Sequence, residues 1–376
     1  MDDITIVRDR YFLDPLEVDS DIGGIGRKSH VGSGVSRSIH SYQNNNTTQT
    51  TGFDQKGETS KEEEEVASLG FSWYIQTKPR PQNTKLSAVY FLVHGGAWLT
   101  GSPDNLNTMA KYIAQRGYVV VAAGYQIPSI EVRHLHQVLA LEMVVLIVLL
   151  LLFNSSEHMV MLLITIMVFL TLFVLRIIYT RRKPKRAAKF PSHIIDIASN
   201  FAHVYRTCHL HGGDNQHIHV VGHSAGGHLV SMLLADDKYL NRHNLCPRAN
   251  IASATLISAV LSRDRLLSSA GYVFHYLVFQ QQSNAGDNNT FNDSDVRSFP
   301  LYHIALMDDM DTKTLPPVLL LTSNADFSLV LHSHDMYYTL KDKDCEVAWY
   351  HYNTNHFSIK THTPALETVL SFSEYL

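Results

Sequence analysis

Residues 220–230 read VVGHSAGGHLV. Two valines end an apolar run, Gly222-His223-Ser224-Ala225-Gly226 makes a G-x-S-x-G pattern, and small residues then lead toward a helix. Strand, tight turn and helix in that order suit a strained elbow that lifts a serine hydroxyl above the end of a sheet. Glycines flank such a serine because neighbouring backbones pass close by. The competing reading is a glycine-rich turn that holds a serine by chance, since a short motif of common residues is only a hypothesis by itself.

From Phe71 onward, apolar runs alternate with helical spacing. SAVYFLVHGG, YVVVAAGY, HIHVVGH, IASATLISAV, PPVLLLTS and EVAWYHY read as strands. NLNTMAKYIAQRG and PSHIIDIASNFAHVYRTC place apolar residues at helical intervals, SAGGHLVSMLLADD follows the elbow, and PALETVLSFSEYL closes the chain. Apolar strands separated by helices predict an α/β fold, a mostly parallel sheet covered on both faces. No internal repeat is present.

Other motifs give the elbow company. VHGGAW (Val93–Trp98) ends an apolar strand upstream, and an H-G-G loop there supplies backbone N–H groups to a developing oxyanion. Gly95, Gly96, Ala97 and Ala225 are the candidate donors. A triad on this pattern runs Ser, acid, His along the chain. Asp326 follows the strand VLLLTS in a polar turn. Asp308, Asp309 and Asp311 precede that strand, at the wrong edge, and Asp335 falls in the next helical stretch. His356 follows EVAWYHY in a loop. His351 lies inside that strand, and His332, His334 and His362 stay as alternatives. The chemistry assigns Ser224 as nucleophile, His356 as its base and Asp326 as the group that orients the imidazole. Such a base must be neutral, so activity is expected to rise between about pH 6 and 8. The reaction requires no cofactor and no metal.

HGGAW, HGGDNQHIHVVGHSAGGHLVSMLL, TSNADFSLV and NHFSI together resemble the α/β-hydrolase superfamily. Within it they look most like the carboxylesterase branch with an H-G-G-x-W oxyanion loop, which includes hormone-sensitive-lipase-like esterases, kynurenine formamidases and isoprenylcysteine methylesterases. The resemblance covers about Phe71 to Leu376 apart from one insert. It implies a serine hydrolase that cleaves carboxylic esters through an acyl-enzyme, with an arylformamidase-type amidase as the alternative on the same triad. It does not name the substrate. Relatives often carry Asp-Tyr-Arg after the fourth strand, and this chain has Gly124-Tyr125-Gln126.

The insert breaks the alternation between Tyr125 and Phe190. Val138–Phe153 and Met159–Leu175 are two apolar runs, near the lower length limit for a spanning helix, separated by a short polar link. Both are apolar on every face, more than a helix packed on a sheet needs. Residues 137–179 are therefore expected to form a transmembrane hairpin. A buried core helix and a gene model that includes non-coding sequence are the other readings. Arg176, Arg181, Arg182, Lys183, Lys185 and Arg186 place the hydrolase domain, 70–136 with 180–376, on the cytoplasmic side. The endoplasmic reticulum is the favoured membrane. Asn154-Ser155-Ser156 fits a glycosylation sequon but lies too near the bilayer for modification.

Composition narrows the partners. The chain has 376 residues and a formal net charge of −4, so nucleic acid is not expected as a partner. The expected partners are a small-molecule or lipid ester and the bilayer. Residues 1–69 read as largely disordered, polar and then acidic. The N-terminus lacks the apolar core of a signal peptide. Cys208, Cys246 and Cys345 form no CxxC pair, which suits a reducing compartment. Two rivals remain. One is a metal hydrolase built on histidines such as His217 and His219. The other is a non-catalytic membrane adaptor that keeps the fold.

Overall fold

The computed structural model describes residues 4–10, 36–40, 70–76, 86–127, 171, 189–268, 275, 278–279, 296–308 and 315–375. The chain divides into two compact units, Met1–Ile127 with Lys189–Leu376, and Pro128–Ala188. Of the second unit only Thr171, in a helix, is described. The expected hairpin at 137–179 thus otherwise lies outside the described residues. Among those residues no helix is long and apolar enough to cross a membrane.

The first unit is built on one sheet. Its strands are β1 (Ile4–Arg10), β2 (Ser36–His40), β3 (Phe71–Gln76), β4 (Ser87–Val93), β5 (Val119–Ala123), β6 (Gly213–His223), β7 (Ser253–Ile257), β8 (Val318–Ala325) and β9 (Val347–Asn355). The order across the sheet is β2-β1-β3-β5-β4-β6-β7-β8-β9. The β1–β2, β1–β3 and β3–β5 pairs are antiparallel and all others parallel. The six strands read from the sequence all form, and they make up the parallel part.

Period-two alternation in the strands sorts side chains into two cores. Val89, Phe91 and Val93 face one side with Val119 and Val121, while Tyr90 and Leu92 face the other with Val120 and Ala122. The main helices are α1 (Asn107–Ala114), α2 (Ser192–Thr207), α3 (Ala225–Ala235), α4 (Pro300–Leu306), α5 (Leu329–Asp342) and α6 (Thr363–Tyr375). Ile194, Ile197 and Phe201 of α2 and Leu229 and Leu233 of α3 fill the first core; Met109 and Ile113 of α1 and Leu366 and Val369 of α6 fill the second. Each such side chain, fully buried, contributes about 1.5–3 kcal/mol.

The N-terminal region adds two strands that the sequence reading did not name. Two stretches within the 1–69 segment, expected to be largely disordered, are strands of the sheet: β1 pairs with β3 from Ile4↔Gln76 to Asp9↔Phe71, and β2 pairs with β1. Ile4 and Ile6, two residues apart and so on one face, pack against the second core. Averaging over a long polar region hides so short an alternation.

The parallel strands end on a common edge, where the loops after β4, β6, β8 and β9 lie. In open α/β sheets, ligands bind beyond the carboxyl ends of strands.

Candidate active site

Ser224 sits between β6 and α3 at φ 56° and ψ −119°. A non-glycine residue held there stores about 1–3 kcal/mol and persists only if its surroundings enforce it. They do so from both sides. The Ser224 N–H donates to the Ile257 carbonyl at 2.9 Å, and its carbonyl accepts from the His228 N–H at 3.2 Å. Gly226 must be glycine, because a Cβ there would lie 2.2 Å from the Val93 carbonyl oxygen. The close approach of β4 to the start of α3 thus accounts for the last glycine of the motif.

The loop after β4 reaches the same place. A Cβ on Gly95 would meet Ser224 Cβ and the His223 carbonyl oxygen, each at 2.9 Å. Gly96, Ala97 and Trp98 follow at φ 126°, 52° and 60°. This run of unusual backbone is braced from beneath. His94 is fully buried, its Nδ1 donates to the Gly95 carbonyl at 2.8 Å, and its ring stacks on Tyr125 at 4.4 Å. The Tyr125 hydroxyl donates to the His94 carbonyl at 3.2 Å. The buried indole of Trp98 packs edge-on against His228 and Phe279.

β8 and β9 deliver the remaining groups. Their register pairs Ala325 with Asn355, so Asp326 and His356 emerge from neighbouring strand ends. The His356 N–H donates to the Ala325 carbonyl at 2.8 Å. His356 Nε2 lies 3.1 Å from Ser224 Oγ. His223 Nε2 donates to the His356 carbonyl at 2.8 Å, and the two rings lie 4.7 Å apart. Asp326 is buried, and its carboxylate accepts from the Val330 N–H at 3.3 Å and the Ser323 N–H at 3.5 Å. His356 Nδ1 is buried and has no hydrogen-bond partner among the described residues. The structure therefore joins Ser224 to His356, and sets Asp326 beside His356 without a hydrogen bond between their side chains.

Burial sets the electrostatics. It lowers the His356 imidazole to about 4, with the Lys360 charge adding to the effect. Burial raises the Asp326 carboxyl, against the lowering pull of the Val330 and Ser323 N–H groups. At neutral pH the imidazole is a free base next to a serine hydroxyl.

The alternatives have other employment. Asp335 pairs bidentately with Arg265, at 2.7 and 3.0 Å, and this hydrogen bonding holds its carboxyl below the usual range. His332 Nδ1 accepts the Leu261 and Ser262 N–H groups, both at 3.1 Å. His351 Nδ1 lies 2.9 Å from Thr322 Oγ1 within the β8–β9 pair, and its Nε2 meets Asn324 Oδ1. His334 Nδ1 lies 3.3 Å from Asp335, and His362 packs on Tyr352. His217 and His219 part company: His217 Nδ1 contacts Asp214 and His219 Nδ1 contacts Ser253, each at 2.8 Å.

Sequence reasoning missed four supporting residues. His223 is the variable position of the serine motif, His94 the first letter of H-G-G, and Tyr125 the centre of Gly-Tyr-Gln. Their places inside motifs were the available signal. Lys360 had none, because its influence arises only once the chain turns back after β9.

A family model described as alpha/beta hydrolase fold matches residues 166–358, a span that includes Ser224, Asp326 and His356. Among solved structures, esterase B from Lactobacillus Rhamnosis is similar with a TM-score of 0.54 and 16% identity, over 82% of this chain and 80% of that one. The same esterase inhibited by a C4-C4 SN3 tributyrin phosphonate gives 0.53 and 16%, over 82% and 80%. A truncated carbohydrate esterase from gut microbiota gives 0.53 and 11%, over 81% and 90%. No curated protein sequence matches the chain. At these identities the structural likeness speaks for a shared fold.

Proposed function

The chain belongs to the alpha/beta-hydrolase-fold family, and from that premise we propose that it is a carboxylic ester hydrolase acting through an acyl-enzyme on Ser224. The observation that carries this reading is the 3.1 Å approach of His356 Nε2 to Ser224 Oγ, on a turn whose backbone is strained. A serine hydroxyl is a weak nucleophile until a neutral base takes its proton. His356 is such a base. Attack on the ester carbonyl converts its oxygen to an oxyanion. The backbone N–H groups of Gly95, Gly96, Ala97 and Ala225 are the donors this reading assigns to it, a type of interaction usually the largest single catalytic contribution. Ala225 opens α3, where unpaired N–H groups and the positive end of the helix dipole favour negative charge. For this reaction the Asp326 carboxylate must turn to accept from His356 Nδ1–H, and in that position it orients the ring and stabilises the imidazolium.

An alkyl fluorophosphonate tests the reading. It should label wild-type protein at Ser224 and abolish ester cleavage. Folded protein that cleaves esters without labelling would point to other chemistry, and folded protein that does neither would support the adaptor reading.

The finer reading is that the enzyme is held at the cytoplasmic face of a membrane and takes apolar, lipid-like esters. Its support is the hydropathy of the insert and the basic residues that follow. Replacing Val138–Tyr179 by a short Gly/Ser linker should yield a soluble enzyme that cleaves a butyryl ester in water and loses most activity on esters in liposomes. Equal loss on both would make the insert structural.

A further inference from the structure

Phe327 directly follows the candidate acid and Phe357 directly follows the candidate base. Both rings stand in solvent, 69% and 63% exposed. Single exposed hydrophobic residues need no explanation. These two, however, are gathered about one functional ring. Phe327 lies 5.3 Å from His356 edge-on, Phe357 lies 5.1 Å from it edge-on, and the two phenyl rings lie 6.0 Å apart. Neither belongs to either hydrophobic core. Phe327 is also held at φ 57°, and Ser328 after it at φ 67°. A bulky side chain at positive φ is an outlier, and strain of this kind gathers at functional sites. The fold thus tolerates an unfavourable backbone in order to present an unburied aromatic ring beside its base.

We propose that Phe327 and Phe357 form the leaving-group subsite, a pair of rings that receives an apolar, aromatic-sized alcohol portion of the ester. The proposal rests on the esterase reading. In acylation a bond forms between Ser224 Oγ and the carbonyl carbon, and the hydroxyl proton passes to His356 Nε2. As the tetrahedral intermediate collapses, the bond from that carbon to the alcohol oxygen breaks, and the proton on Nε2 passes to that oxygen. The alcohol oxygen must therefore come within hydrogen-bond reach of Nε2. Its first carbons then lie at the rim of the imidazole, where the two phenyl rings stand. The acyl carbon stays bonded to Ser224, and its chain is not tied to the imidazole in this way. Aromatic rings favour edge-to-face and offset partners at such spacings, so an arylalkyl alcohol gains contacts that methanol does not.

Two acetate esters with alcohols of similar acidity, methyl acetate and 2-phenylethyl acetate, isolate the effect. Both pass through the same acetyl-enzyme, so the alcohol acts only in acylation, which kcat/KM reports. The wild type should prefer the phenylethyl ester. The double variant Phe327→Ala with Phe357→Ala should lower the phenylethyl-to-methyl ratio of kcat/KM by about tenfold, the scale on which apolar pockets discriminate. Phe327→Leu with Phe357→Leu should fall between. Leu210→Ala, another exposed apolar site but at the opposite end of β6, should not move the ratio. An unchanged ratio in the double alanine variant overturns the proposal. So does a shift in preference between acetyl and hexanoyl methyl esters instead, which assigns the rings to the acyl side. Failure of the wild type to cleave either ester or to label at Ser224 would remove the esterase reading itself, whereas cleavage of both with an unmoved ratio removes only the subsite.

Discussion

Two corners of the same sheet edge are built on opposite terms. At the nucleophile corner every residue from Val220 to Ala235 is buried, and backbone lies against backbone so tightly that Gly95 and Gly226 have no room for a Cβ. At the acid–base corner β9 is an edge strand with no buried residue, and Phe327 and Phe357 stand in water. Steric contact fixes the serine. Hydrogen bonds at strand ends hold the histidine and the aspartate, and no side-chain hydrogen bond joins those two. On the proposed reading, close packing holds the nucleophile, while the base meets the serine without yet meeting its acid.

The sharpest way to break the comparison is at the serine. Ser224→Ala should lower turnover by about 10⁴-fold or more while leaving apparent affinity little changed, since a triad member acts as part of a unit and the oxyanion donors remain. Turnover within about tenfold of wild type would remove Ser224 from the chemistry.

The acid–base corner is tested by a pair of isosteric changes. Asp326→Asn should reduce kcat by roughly 10²–10⁴-fold, because the imidazole loses its orienting charge. Asp335→Asn should leave kcat within a factor of about two and cost at most about 1 kcal/mol, the worth of a partly exposed ion pair. If the two variants trade places in a rate assay, Asp335 on α5 is the acid and Asp326 is not.

Tolerance to alanine separates the corners again. Gly226→Ala forces a Cβ against the Val93 carbonyl at 2.2 Å, so it should destabilise by about 1–3 kcal/mol or more. Exposed Asn353 on β9, whose side chain accepts from Asn324 Nδ2 at 2.8 Å, should tolerate alanine within about 0.5 kcal/mol. Urea midpoints measure both, and comparable losses would show that the edge strand is as constrained as the elbow.

Acidity probes both corners together. With its imidazole lowered to about 4 by burial, His356 is already neutral at pH 6. The profile of kcat/KM should therefore be flat between about pH 6 and 8 and fall only near pH 4, unlike the rise that an unperturbed imidazole gives. Stability follows the same sign. His94, His219, His228, His332 and His356 are lowered to about 4, and His193 and His223 to about 3, chiefly by burial. Their unfolded forms take up protons near pH 6.5 while the folded forms do not, so stability is full above that value and falls as pH drops toward 4. Circular dichroism at fixed urea reads this directly, and constant stability from pH 7 to 4 would contradict it.

Most of this edge was legible in the sequence, because its demands are local. Gly226 is forced by β4, yet the need surfaces as a letter in G-x-S-x-G. Strand ends could be read from apolar runs, which placed Asp326 and His356 after β8 and β9. Three things were not legible. The β1 strand relies on pairing with β3, far along the chain. The low basicity of His356 depends on how much chain covers it. The missing hydrogen bond at Nδ1 turns on side-chain orientation, which residue order does not encode.

The smallest effect is the most specific to the elbow. Ser224→Gly and Ser224→Ala should be equally inactive, since neither has a nucleophile. They should differ in stability. At φ 56° and ψ −119° alanine keeps the Cβ that makes this conformation costly, while glycine adopts it with little strain. Relief of about 1–3 kcal/mol of strain is partly offset by the extra freedom of glycine in the unfolded chain, about 0.5–1 kcal/mol. The glycine variant should therefore exceed the alanine variant by about 1 kcal/mol, a Tm difference of roughly 1–2 °C for a domain of this size. A glycine variant no more stable than the alanine would mean that the turn stores no strain at Ser224. The tight nucleophile corner would then be held by packing at Gly95 and Gly226 alone.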